Sequence, residues 1–110
     1  MDWKRDFTKA QRRELKRISE LAHERELAQS LAGLEADFRR WRASEIDVHV
    51  LNDRIHDFHQ GPSRKLWSRY SQGEHYLAAV GAILAGIVAE HEVAEDVMQI
   101  LRPDLAARRE

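Results

Sequence analysis

The sequence predicts an all-α protein of four to five helices, a helical bundle opened by one long N-terminal helix. Only two prolines and five glycines punctuate the 110 residues. The β-branched residues are too scattered for the period-two alternation of strands, whereas apolar residues recur at three and four residues in several segments. One domain, 1–110, is expected, with residues 1–7 and 103–110 as frayed tails.

Thr8-Lys9-Ala10-Gln11 has capping-box spacing, in which the Thr8 hydroxyl satisfies one orphan amide and Gln11 reaches back to another. The first helix then runs to about Ala43. Ser44-Glu45-Ile46-Asp47 offers a Ser N-cap with carboxylates in the first turn of a second helix, and Gly61-Pro62 predicts its end at Gln60 through a left-handed cap and a stop. Val48, Leu51, Ile55 and Phe58 form the core-facing stripe of that helix. Pro62 or Ser63 opens a short third helix carrying Leu66, Trp67 and Tyr70, closed by Ser71-Gln72-Gly73. A fourth runs to about Ala85, where Gly86 followed by Ile87 has the pattern of a cap glycine and its apolar follower. The last helix sets Val93, Val97, Ile100 and Leu101 on one side and is expected to end before Pro103.

The first helix carries an internal conflict. At 100° per residue, Phe7, Gln11, Leu15, Ile18 and Ala22 cluster in one direction, and Leu27, Leu31, Leu34, Phe38 and Trp41 cluster roughly 160° away. Supercoiling moves the phase only about 20° per heptad and cannot reconcile them. Either the helix breaks near His23-Glu24-Arg25-Glu26, or it stays continuous and each half packs against a different neighbour. A continuous rod of about 36 residues is roughly 54 Å long, against a radius of gyration near 13 Å for a compact domain of this size. This mismatch predicts a homodimer whose interface is Leu27, Leu31, Leu34, Phe38 and Trp41, paired with a twofold mate. An ordinary broken hairpin within a monomer is the alternative. The fourth helix mixes Tyr76, Leu77, Val80, Ile83 and Leu84 with Ala and Gly all round, so it is expected to be central or interfacial, with a tight crossing at Gly81.

Charge is uneven. Residues 1–42 carry +3, 43–73 are neutral and 74–110 carry −4, which suggests docking of a basic front on an acidic back before it suggests nucleic acid. Lys9, Arg12, Arg13, Lys16 and Arg17 form a basic band, with Arg39, Arg40 and Arg42 near Trp41, but Glu14 and Glu20 interrupt it and the pI is about 6.6. The longest apolar stretch, Tyr76 to Ala89, is shorter than the roughly 18–20 residues that cross a bilayer. No membrane or nucleic-acid partner is expected. The cysteine-free chain fits a reducing cytoplasm and excludes a disulfide scaffold.

Two clusters have residue types that carry chemistry. His49, Asp53 and His56, spaced i, i+4, i+7, share a helix face and supply the donor set of a two-His, one-carboxylate divalent metal site. They point away from the core stripe, so a solvated polar face explains them equally. Around Gly61-Pro62, His59, Ser63 and Arg64 converge on a predicted helix start whose free amides suit a phosphate or carboxylate; the plain alternative is a Ser63 cap and an Arg64 to Asp57 bridge. Neither a strand nor a G-x-S-x-G elbow makes Ser63 a nucleophile, and no catalytic residue is assigned.

The run from Leu51 to Trp67, LNDRIHDFHQGPSRKLW, preceded by Phe38-Arg39-Arg40-Trp41, resembles a group of short uncharacterised bacterial all-helical proteins. The resemblance implies a small stand-alone helical protein and brings no activity. The sequence therefore reads as a non-enzymatic protein that works through helix-mediated self-association or contact with another protein and needs no cofactor. Binding of a metal or an anion through the His-rich second helix and the Gly-Pro-Ser-Arg turn is the alternative.

Overall fold

Thr8 opens the first helix as its capping box requires. Its hydroxyl accepts from the Gln11 amide at 3.1 Å, and Gln11 Oε1 accepts from the Thr8 amide at 2.9 Å. The computed structural model describes residues 7–110, and in it helix α1 (Lys9–Arg42) runs unbroken for 34 residues. Of the two arrangements open to this segment, the continuous rod is the one formed. At 1.5 Å per residue it is about 51 Å long, and it sets the long axis of a molecule measuring 54 × 26 × 23 Å. The radius of gyration of 17.7 Å exceeds the roughly 13 Å of a compact chain of this size.

Ser44, expected to cap the second helix, instead ends the first. It adopts a left-handed φ of 61°, while its amide bonds to the Trp41 carbonyl and the Glu45 amide reaches the Arg40 carbonyl at 2.8 Å. That double bond pattern is the Schellman closure. The N-cap passes to Asp47, whose carboxylate accepts from the Val50 amide at 2.8 Å. Helix α2 (Val48–Phe58) then turns back along α1 as an antiparallel hairpin.

Gly61-Pro62 does not stop the chain. A π-helical turn, His59–Ser63, carries α2 directly into α3 (Arg64–Ser71), and Gly61 is not left-handed. The wider turn moves a carbonyl away from the Pro62 ring that an α-helix would drive against it. Helix α4 (His75–Leu84) ends as expected at Gly86, φ 75°, with the Gly86 amide on the Ile83 carbonyl and the Ile87 amide on the Ala82 carbonyl. Helix α5 (Glu95–Arg109) passes through Pro103, against the expected stop and frayed tail. Leu101 and Leu105, both buried, hold the helix on either side of the proline. The other expected tail is divided: residues 1–6 lie outside the described residues, and Phe7 is buried, its ring 5.8 Å from that of Tyr76.

The core gathers around the first half of α1. Leu15, Ile18 and Ala22 pack with Ala79, Val80, Ala82 and Ile83 of α4, with Val97, Met98, Leu101 and Leu105 of α5, and with Leu66 and Tyr70 of α3. Only one side of α4 is buried. Leu77, Gly81 and Leu84 face outward, and a Cβ at Gly81 would meet nothing within 4 Å. The expected tight crossing is therefore absent, because α1 approaches α4 on its alanine and valine side instead. No described helix is long and apolar enough to cross a membrane.

The basic front does dock on the acidic back within the chain. Arg25 pairs with Glu92 at 2.5 and 2.8 Å and donates to the Ile87 carbonyl. Arg17 donates to the Glu92 carbonyl and pairs with Glu14, whose carboxylate accepts from the Ala94 amide at 2.8 Å. Glu92 also closes on the Ala89 amide. These contacts pin the 85–94 connection across α1.

The Arg25 guanidinium and the Ala89 amide hold the Glu92 carboxyl at about 2, below its ordinary 4.5. Because the folded value is depressed, its contribution to stability is complete above about 4.5 and fades as pH falls toward about 2. Thermal melts across that interval are expected to show a downward slope that is shallower in Glu92→Gln; an unchanged slope removes the staple from the account.

Candidate functional site

Beyond the core, α1 continues alone with α2 as a projecting two-helix arm. Its base is clamped where the apolar face of α1 changes sides. There the Tyr70 ring stacks on His23 at 5.2 Å, and the Tyr70 hydroxyl donates to Glu26 at 2.5 Å, with Arg69 also on Glu26 at 3.2 Å. Burial, together with the Glu26 carboxylate, pushes the Tyr70 phenol up to about 12.

Along the arm, Leu27, Leu31, Leu34, Phe38 and Trp41 alternate in steps of four and three, the seam spacing of a coiled coil. The chain itself covers only part of that seam. Leu27 packs against the main core, and Leu34 and Phe38 are half-buried, but Leu31 is 45% exposed and Trp41 39%. On α2, Leu51 is buried while Val48 and Ile55 are 54% and 38% exposed.

The exposed residues share a side. On α1 the covered direction is that of Ser30, Leu34 and Asp37, and Leu31 and Phe38 lie further round in the sense of the helical turn. On α2 the covered direction is that of Leu51 and Phe58, and Val48 and Ile55 lie further round in the same sense. For antiparallel helices, equal rotations away from the shared seam lead to one face of the pair. Leu31, Phe38, Val48 and Ile55 thus form an open apolar face. A groove of about 360 Å³ beside Leu31, Leu34 and Phe38 is edged by Glu35, Arg39 and Arg42, and Glu35 pairs with Arg39.

The metal expectation does not assemble. His49, Asp53 and His56 all face solvent on the outer side of α2, with no described helix opposite them to complete a donor set. Among the described residues no group of three or more His, Cys, Asp or Glu is placed to hold an ion.

The anion expectation is corrected in mechanism. Ser63 makes no capping bond, and the Arg64 amide bonds to the Gly61 carbonyl within the π turn, so no fresh helix start exists there. His59, Ser63 and Arg64 nevertheless line one groove of about 360 Å³ with Gln60 and Trp67. Trp67, expected beside Leu66 and Tyr70 on the third helix, is 54% exposed because those two residues, four apart, already define the buried side. In the basic band, Arg17 and Lys16 are engaged by Glu14 and Glu20, and the Arg12 guanidinium donates to the Phe7 carbonyl. No known protein family, curated protein or solved structure matches this chain.

The arm tip rests on Ser44 in a conformation that costs an L-residue about 1 kcal/mol or more. Ser44→Gly is expected to raise stability by about 1 kcal/mol in urea denaturation with helicity unchanged; a loss of stability contradicts the cap assignment.

Proposed function

We propose that this chain is a non-enzymatic protein that self-associates through its two-helix arm. The observation carrying this reading is the open apolar face itself, with Leu31, Val48 and Ile55 between 38% and 54% exposed on one side of a helix pair. A lone two-helix arm buries little apolar surface, and a large aliphatic side chain left half in water forgoes roughly half of the ~1.5–3 kcal/mol that full burial supplies. A second copy supplies a face of the same length and composition. In an antiparallel twofold pairing whose axis crosses the arm near Asp37, Leu31 meets the partner's Val48 and Phe38 meets the partner's Ile55. Each contact occurs twice, as twofold symmetry demands, and the two arms close into a four-helix bundle.

Another protein offering an amphipathic helix is the rival occupant, since a helix laid into such a groove uses the same anchors. Sedimentation equilibrium at micromolar concentration distinguishes the two. Self-association gives twice the 12.8 kDa chain mass, and Leu31→Glu or Ile55→Glu returns it to one chain mass with unchanged circular dichroism. A wild-type particle of one chain mass overturns the proposal.

A further inference from the structure

The π turn produces a second, independent feature at the opposite side of the chemistry scale from the apolar arm. Inside helices such turns are rare and often mark functional positions, and here one spans His59–Ser63. It breaks the α register between α2 and α3, and the resulting groove collects five side chains: His59, Gln60, Ser63, Arg64 and Trp67. Their chemistry divides in two. Trp67 presents a ring that is 54% exposed, a surface suited to stacking against another planar π system. Arg64 forms no ion pair among the described residues, Ser63 makes no capping bond, and neither Gln60 nor His59 has a side-chain hydrogen-bond partner there. Most arginines of α1 and α5, by contrast, are engaged by carboxylates or carbonyls, as with Arg17, Arg25, Arg102 and Arg108.

The groove volume of about 360 Å³ falls within the roughly 300–1,000 Å³ of small-molecule sites. A permanently charged planar guanidinium and a hydroxyl that line one groove are donors of the kind that hold phosphate oxygens by charge-assisted bonds. Gln60, with both a donor and an acceptor, can read the polar edge of a heteroaromatic ring. We infer that this groove binds a small phosphate ester carrying a planar heteroaromatic ring, of the nucleoside monophosphate class, with Arg64 and Ser63 on the phosphate and Trp67 stacked on the ring. The free amides of a helix start play no part. The groove adjoins the self-association face, His59 lying one turn beyond Ile55 on the same rod, but none of its five lining residues is among those that form that face.

The test is a titration of the full chain with adenosine monophosphate, followed by amide and indole proton–nitrogen NMR spectra. Saturable shifts are expected at Gln60, Ser63, Arg64 and the Trp67 indole. Arg64→Gln and Trp67→Ala are each expected to weaken binding about tenfold or more, the loss of one charged or one stacking contact. Arg13→Gln, an exposed arginine of α1 outside the groove, leaves it unchanged. Inorganic phosphate and adenosine, titrated separately, are each expected to bind about tenfold more weakly than the monophosphate. Equal affinity for inorganic phosphate removes the ring, equal affinity for adenosine removes the phosphate, and either result overturns the inference, as does the absence of saturable shifts. Leu31→Glu, which separates the arms, retains binding, so failure of self-association and failure of this site are read apart.

Discussion

The opening helix presents apolar residues on opposite sides of one unbroken rod, and no bend or supercoil brings them together. Leu15, Ile18 and Ala22 are buried on one side and Leu27 to Trp41 face another. A single compact core cannot meet both sides of a straight rod. The chain resolves this by dividing its remaining helices. Helices α3, α4 and α5 gather on the first half, and α2 alone returns along the second. The changeover is fastened by Tyr70, whose ring lies on His23 and whose hydroxyl is bonded to Glu26.

The division is unequal, and its consequences follow from that. The first half receives three helices and a fully enclosed core in which Leu15, Ile18 and Leu101 have no exposure. It also receives the charge staple, in which Arg25 and Arg17 meet Glu92 and its carbonyl. The second half receives one helix of 11 residues, enough to cover one flank of the Leu27 to Trp41 seam. The other flank stays open, and none of the described helices of the elongated, 54 Å molecule lies over it. An apolar helix pair with one bare side is the geometry in which association is favourable by the same burial that forms the core.

Much of this was legible in the residues. The half-turn disagreement between the two stripes of α1 required separate burial, Thr8 and Gln11 set the first cap, and Gly86-Ile87 set the end of α4. What escaped was governed by packing and by backbone states that composition does not encode. Gly61-Pro62 has the chemistry of a stop, yet apolar residues on both sides, Phe58 and Leu66, hold one rod together and a π turn relieves the proline. Pro103 is carried in the same way by Leu101 and Leu105. Ser44 could serve as an N-cap or as a left-handed terminator, and the choice fell to the hydrogen bonds at the end of α1. The groove residues His59, Ser63 and Arg64 were visible as a cluster, while the exposure of Trp67 beside them depended on which side of α3 the core claimed. His49, Asp53 and His56 share a face as their spacing requires, but spacing alone places no fourth group opposite them.

Continuity of α1 through His23–Glu26 underlies the whole account, and it is open to direct measurement. The chain has no cysteine, so Ala10→Cys and Ala32→Cys, both at exposed positions, give two unique sites for spin labels, diluted with unlabelled chain to suppress contacts between copies. An unbroken helix predicts a single narrow distance near 33 Å before label linkers are added, about 1.5 Å for each intervening residue. A distribution centred below about 20 Å, the value of a rod folded back at its charged midpoint, would contradict the two-sided burial and the open arm that follows from it.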